Sequence, residues 1–553
     1  MLIRLEGGRV YDPANNVDGE VRDIYMRDGR IVAKPRRAVR VDRSYDLRGS
    51  VVMAGAIDIH THIGGGKVNV ARMLLPEDHD LDRRARRPGL RSGSGNAAPT
   101  TFHTGYRYSE LGYTACFEPA MLPANARHAH LEMADVPNVD CGAYALLGSD
   151  DFLLRMLADG AGDEELQDYV AWTLHATQAI AIKVVNPGGI NAFKFNQRSL
   201  DLDEQNCHYG VTPRDIVRRL SGAVHALGIQ HPVHLHGCNL GVPGNIETTL
   251  ATIQAAEGLP LHLTHVQFHS YGNEGKHRFS SGAARLAEAL KNNPNISVDV
   301  GQIMFGQTVT ASGDTMLQYR AHGHAHPRKW VCMDIECDAG CGVVPFRYRD
   351  SNFVNSLQWC IGLELFLLAG DPWRIFLTTD HPNGAPFTSY PHLIRLLMDR
   401  SFRNDMLETL HPRARENTIL AGLDREYSMY EIAILTRAAP ARSLGLRDKG
   451  HLGPGASADV TVYRNERNRE AMFGKPTHVF KSGVLVAENG AVRESVAGAV
   501  HAVRPDFDAG IERKLKAYFD RYHTIKFNNF RLGDDELLEY GRSDVTIQQC
   551  RRV

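Results

Sequence analysis

The sequence lacks an excess of charge of either sign: 63 Lys and Arg stand against 64 Asp and Glu in 553 residues, a formal net charge of −1. A surface with no dominant sign gives a polyanion nothing to recognise, so no nucleic acid and no acidic membrane surface is expected as a partner. Long apolar runs are missing too. The strongest, Cys360 to Gly370, is interrupted by Glu364 and too short to span a bilayer. The opening Met1-Leu-Ile-Arg-Leu-Glu is charged too early for a secretory signal. Cysteine supplies no framework: the nine residues are odd in number, scattered, and contain no C-x-x-C. Reduced thiols in a cytoplasmic protein are therefore expected rather than disulfides. The tightest group, Cys332, Cys337 and Cys341, has no fourth ligand at zinc-ribbon spacing and is not counted as a metal site. What the chain does have is histidine, 26 of them, which turns the search toward metal ligands.

The pattern along the chain divides it. Residues 1–50 read as short strands with turn signals, Gly7-Gly8 and Asp28-Gly29 among them. From Val51 strand-like apolar runs alternate with helical segments. The runs are Val51–His60, Tyr113–Pro119, Gly142–Leu147, Ile180–Val185, Pro232–His236, Leu261–Val266, Ile296–Val300 and Ile375–Thr379. Helical spacing lies between several of them, as over Glu165–Gln178 and Ser280–Leu290. Eight such runs predict an α/β fold, a (β/α)8 TIM-type barrel over 51–440. The stretch 64–110 breaks the rhythm with Gly64-Gly-Gly, a charged tract and Ser92-Gly-Ser-Gly. An insertion after the first strand lies at the catalytic face, either as a lid or substrate loop or as a disordered excursion. Residues 441–500 read as strands returning to join the N-terminal ones in a small β-sandwich, and 501–553 as a charged, aromatic arm packed on this chain or on a partner.

The most informative stretch is Ala54-Gly-Ala-Ile-Asp-Ile-His60-Thr-His62. Residues two apart on a strand share a face, so His60 and His62 present two imidazoles on one side of a strand end. Lys183 lies inside the fourth run, where a buried ammonium is costly unless paired or modified. Carbamylation by CO2 would make it a carboxylate able to bridge two cations. The fifth run offers His231, His234 and His236, the sixth His262, His265 and His269, and not all six can be ligands. Asp380 ends the eighth run, placed to ligate a metal and move a proton. Together these give the logic of a two-metal hydrolase, in which a hydroxide attacks a carbonyl polarised by one metal. Lys67 and Asn186, near the first and fourth strand ends, are candidates for holding substrate.

This set resembles the amidohydrolase superfamily over residues 1–490, and in particular its carbamylated-lysine branch. By that resemblance the metal ligands are His60, His62, Lys183, His234, His265 and Asp380, with two Zn2+ bridged by carbamylated Lys183 and a hydroxide. The branch usually carries His-x-Glu on strand five; here the motif reads His234-Leu-His236. Longer segments are similar to the family of formylmethanofuran dehydrogenase A subunits, which includes the corresponding component of formyltransferase/hydrolase complexes. They include His62-Ile-Gly-Gly-Gly-Lys67-Val-Asn, Gly105-Tyr-Arg-Tyr-Ser-Glu-Leu-Gly-Tyr-Thr, Lys183-Val-Val-Asn-Pro-Gly-Gly and Gly237-Cys-Asn-Leu-Gly. The resemblance implies hydrolysis of the N-formyl group of a methanofuran-type small-molecule substrate, in one-carbon metabolism, with the other subunits of a formyltransferase/hydrolase complex as partners. Two alternatives are a cyclic-amide hydrolase of the dihydroorotase or hydantoinase kind, and a non-catalytic scaffold component.

Overall fold

The eight apolar runs form one parallel sheet curled into a barrel. Its strands are β1 (Ala56–Asp58), β2 (Tyr113–Met121), β3 (Asp140–Leu147), β4 (Ala181–Val185), β5 (Val233–His236), β6 (Leu261–Leu263), β7 (Ile296–Asp299) and β8 (Ile375–Phe376). They pair in chain order. The ring closes where Thr61, past β1, bridges His381, past β8, and the His62 N–H donates to the His381 carbonyl at 2.8 Å. The computed structural model describes residues 1–36, 39–197, 199–275, 278–312 and 342–552; Cys332, Cys337 and Cys341 lie outside the described residues.

Helices follow the strands around the barrel, and their sequences say why. Pro213–Ala226 opens on a capping box, Thr212 with Asp215, with Pro213 in the first turn where its missing N–H costs nothing. Its buried stripe of Ile216, Val217, Leu220 and Val224 recurs at three- and four-residue intervals and faces the sheet. The predicted helix over Glu165–Gln178 is Asp163–Thr177, and that over Ser280–Leu290 begins later, at Ala283. Ser280 and Ser281 instead pair with Tyr271 and Gly272.

Three expectations change in detail. Val51–His60 is two strands: Ser50–Ala54 joins the terminal sheet, and β1 starts after Gly55. A Cβ on Gly55 would sit 2.1 Å from Thr114 Oγ1, so the chain can cross between sheets only with glycine there. Gly7-Gly8 is not a turn but part of the strand Leu2–Asp12, at a bulge where a Cβ on Gly8 would meet Val52 at 2.4 Å. Asp28-Gly29, at φ 50° and 76°, is the hairpin turn. The stretch 64–110 is ordered, with helices Gly66–Leu74, Pro76–Leu81 and Thr101–Glu110. Its glycine- and serine-rich part is wrapped on the Asp78 carboxylate, which accepts the N–H groups of Asn96, Ala97 and Ala98 at 2.8–3.2 Å.

The terminal strands make a nine-stranded mixed sheet, with Val460–Arg464 antiparallel to Ser50–Ala54. It encloses its own core of Ile3, Leu5, Val10, Ile24, Val52, Val460 and Phe480. The C-terminal segment packs on this chain: Phe519, Phe527 and Phe530 surround Trp172, with ring centroids 5.6–6.3 Å away. No helix among the described residues is long and apolar enough to cross a membrane.

The sheet is bolted to the barrel by buried charge. Lys481 Nζ donates to Asp140 Oδ2 at 2.7 Å and Asp459 Oδ2 at 2.9 Å, and Lys449 Nζ lies 2.5 and 2.9 Å from the same two oxygens. Asp140 opens β3, whereas the other three belong to the returning chain. Burial opposes ionisation of Asp140, but Lys449 and Lys481 outweigh it and hold the carboxyl well below its usual range. Removing one partner would strand a buried charge. Lys481→Met is therefore expected to cost about 3–5 kcal/mol in urea or thermal unfolding. Because the Asp140 and Asp459 values are depressed on folding, their contribution is complete above the unfolded carboxylate value near pH ~4 and fades as pH falls below it. Stability measured against pH in wild type and Lys481→Met should show that acid-side dependence shrink in the variant.

Candidate metal centre

A barrel of parallel strands gathers the residues at its C-terminal strand ends into one mouth. The pocket found there is lined by His60, His62, Lys67, Lys183, His236, His265, Asp380 and Asn383, among others. His60 is its hub. Its Nε2 lies 2.9 Å from Asp380 Oδ1 and its Nδ1 3.1 Å from Asp299 Oδ2. His62 reaches Asp380 Oδ1 at 3.5 Å through Nε2, while its Nδ1 lies 2.9 Å from Glu118 Oε1. Glu118 also accepts the N–H groups of Ile63 and Gly64, at 2.8 and 3.2 Å, which fixes the chain leaving β1. Asn383 Nδ2 donates to Asp380 Oδ1 at 2.9 Å.

Register separates the two histidines of strand five. His234 pairs across the sheet with Lys183 and His262, whereas His236 pairs with Val185, one layer nearer the mouth. The long Lys183 side chain climbs from the lower layer into the pocket; an imidazole at the same level does not. His234 is not among the pocket-lining residues; it forms a separate buried group with His60 and Asp299, whose donor atoms lie within 4.8 Å of one another. Its Nε2 lies 2.9 Å from His60 Nδ1, on the far side of that ring, and its Nδ1 lies 3.0 Å from His231 Nε2. His231 in turn meets Ser443 Oγ at 2.9 Å. His236 occupies the mouth, and its Nε2 is buried with no hydrogen-bond partner, as is Nδ1 of His265. His262 also lies below, between Ser297 and Asp299.

Two site residues stand in strained backbone. Asp380 has φ 50° and His265 φ 35°, left-handed conformations that L residues adopt at a cost of about 1–3 kcal/mol and that concentrate at functional sites. Gly301 makes room for them: a Cβ there would sit 2.4 Å from His265 Cβ. Asp299 secures the same turn by accepting the His265 N–H at 2.7 Å. Lys67 lines the pocket from the first turn of Gly66–Leu74. Asn186 is not among the lining residues; its backbone N–H donates to the His236 carbonyl at 2.9 Å.

The electrostatics follow from burial. It disfavours a charged His60, but Asp299 and Asp380 outweigh it and push the imidazole up to about 9. Both carboxyls are held far below their usual range, against burial, chiefly by His60. Burial pulls the Lys183 amine down to about 7, against the attraction of Asp299 and Asp380. Burial pushes His236 and His265 well below the ordinary imidazole range, with the neighbouring His265 and His269 adding to it at His236 and Asp380 opposing it at His265. They are neutral at pH 7 with lone pairs to offer, as a metal ligand requires. Donor atoms of His60, His62 and Asp380 fall within 4.8 Å of one another, and so do those of His236, His265 and His269. Buried imidazole nitrogens that meet no protein group, beside carboxylates and a lysine, fit a divalent metal centre.

Sequence reasoning misses Asp299 and Glu118. Each is an acidic residue inside an apolar strand run, the same anomaly that singles out Lys183, and the cost of burying an unpaired carboxylate is the available signal.

Similarity to known proteins agrees with this geometry. The amidohydrolase family model matches residues 43–487. The chain is 43% identical over 539 residues to the A subunit of the formyltransferase/hydrolase complex Fhc of Methylorubrum extorquens, covering 97% of both chains. It is 38% identical to Protein FwdA of Methanocaldococcus jannaschii over 96% of each. A crystal structure of the Methylorubrum extorquens FhcABCD complex with methylofuran contains a chain that superposes with a TM-score of 0.92 at 41% identity, over 99% of this chain and 100% of that one. A dihydroorotase of Syntrophus aciditrophicus matches over only 66 residues, 11% of this chain. The ring of histidines and Asp380 at the barrel mouth thus belongs to a protein of the amidohydrolase family.

Proposed function

We propose that the chain is the hydrolase component of a formyltransferase/hydrolase complex and cleaves the N-formyl group of a methylofuran-type carrier to formate and the free amine. The observation that carries this reading is the gathering of His60, His62, Lys183, His236, His265 and Asp380 around one pocket in a chain similar end to end to the Fhc A subunit. The partner subunits and the carrier come to this chain from the complex in which that relative was crystallised. The similarity to dihydroorotases of Syntrophus aciditrophicus and Anaeromyxobacter dehalogenans covers 11% and 30% of this chain, against 97% for the Fhc A subunit, which favours shared metal chemistry over a shared cyclic substrate.

The donor set, imidazoles with a carboxylate, suits zinc. Two zinc ions bound there would polarise the formyl carbonyl and make the hydrolytic nucleophile available at neutral pH. His60 and His62 would hold one ion with Asp380, and His236 and His265 would hold the other. Lys183, once carbamylated, would supply a further carboxylate to the site; its burial lowers the amine toward the neutral form that reacts with CO2. Asp380 takes the proton from the attacking water and returns it to the leaving nitrogen, so the amine departs neutral. Asp299 and Glu118 orient the His60 and His62 rings through their Nδ1 atoms, leaving each Nε2 toward the pocket. Lys67, at the rim, holds the substrate.

Asp380→Asn should lower kcat for formate release by about 10²–10⁴-fold in the native complex; turnover within about threefold of wild type would sink the assigned role. Metal analysis separates the two strand-five histidines. His236→Gln should lose one of two ions, and His234→Gln should keep both with affinity weakened about 10–100-fold. Native peptide mass spectrometry should find Lys183 heavier by one CO2, and mild acid should remove it together with the metal.

A further inference from the structure

His269 plays no part in the ligand set above, yet it sits beside it. It ends the short 3-10 helix Val266–His269, immediately after His265. Its ring centroid lies 5.2 Å from that of His236 and 5.4 Å from that of His265. It is 4% exposed. The ring is hydrogen-bonded to the backbone of Cys238, while Nε2 is buried with no partner. The Cys238 bond is therefore made by Nδ1, which must carry the proton to meet a carbonyl. Nε2 is left as a bare lone pair. A ring fixed by an Nδ1–H to a backbone carbonyl, with Nε2 directed elsewhere, is the arrangement a metal-binding histidine needs.

One ring nitrogen from each of His236, His265 and His269 lies within 4.8 Å of the others, and His236 Nε2 and His265 Nδ1 are, like His269 Nε2, buried without a hydrogen-bond partner. His236 Nε2, His265 Nδ1 and His269 Nε2 are buried acceptors without a donor, each costly to leave so. A shared cation removes all three deficits. The backbone around His269 is also held in place: Thr249 Oγ1 donates to its carbonyl at 2.7 Å, and Asn245 Nδ2 to that of Phe268 at 2.8 Å.

We propose that His269 is a third imidazole ligand of the ion held by His236 and His265, so that this ion has an all-histidine face completed by the Lys183 side. The proposal rests on the metal-centre reading above. It gives the two ions unequal surroundings: beside the shared Lys183 carbamate, one would have His60, His62 and Asp380, and the other three neutral imidazoles.

The test uses the complex stripped of its native metal and titrated with Co2+, whose visible absorption reports coordination without any assay of activity. In wild type two equivalents should bind. In His269→Gln, whose amide can still donate to the Cys238 carbonyl, the first equivalent should bind as in wild type and the second at least about 10-fold more weakly. In His269→Cys the second equivalent alone should bring a thiolate-to-cobalt charge-transfer absorption in the near ultraviolet, because a sulfur then occupies the coordination sphere. Two equivalents bound with wild-type affinity in His269→Gln, or no such absorption in His269→Cys, would overturn the proposal and leave the rest of the metal centre standing. Wild type that binds no Co2+ and no Zn2+ would overturn the metal-centre reading itself.

Discussion

His60 is held between two buried carboxylates, Asp299 on Nδ1 and Asp380 on Nε2, and the mouth of the barrel is arranged around that sandwich. Neither carboxylate could stay ionised at these depths without cationic company. Without a bound ion the imidazole and the two carboxylates hold one another charged; a cation at Nε2 would take over that role from the ring's proton. Asp299 then uses its remaining contacts to fix His262 and the backbone of His265, so one buried carboxylate ties strands β1, β6 and β7 together. Asp380 lines the pocket, where the proposed hydrolysis would use its charge. The same element of order therefore does structural work on one side of the His60 ring and functional work on the other.

A second set of buried charges works at a distance from the pocket. Asp140, Asp459, Lys449 and Lys481 neutralise one another where the terminal sheet meets the barrel. Ionic contacts buried this deeply add little net stability compared with apolar packing, but they are unforgiving of mispairing. They set how the returning chain docks. That docking places Ser50–Ala54 against Val460–Arg464 and so delivers β1, with His60 and His62 at its end, into the ring of strands.

Much of this is legible in the chain itself. The eight apolar runs are the eight barrel strands because strands buried on both faces need continuous apolar sequence, which stands out without alignment. His60 and His62 can be paired from spacing alone, because strand periodicity puts alternate residues on one face. Lys183 stands out as a charge in an apolar run. Glu118 and Asp299 carry the same signature, but nothing in the sequence tells them from ordinary strand-end acids. The Gly7-Gly8 pair misleads for a related reason. Glycine marks a tight turn and a close strand approach equally well, and only the approach of Val52 decides between them.

The barrel strands and the shared face of His60 and His62 are written in the sequence, because each depends on local period, while the amidohydrolase reading rests on the resemblance of its motifs. What only the tertiary structure decided is which histidine of a same-face pair reaches the mouth. His234 and His236 are equivalent by strand periodicity, and Lys183 lies at the level of His234. The choice falls to His236 because cross-strand register sets height along the barrel axis, and register is a relation between strands distant in sequence that no single run of residues encodes. The approach of His269 to the same nitrogens has the same origin: a turn after β6, pinned by a helix after β5, closes a cluster whose members are 33 residues apart or fewer in the chain but meet only when the barrel forms.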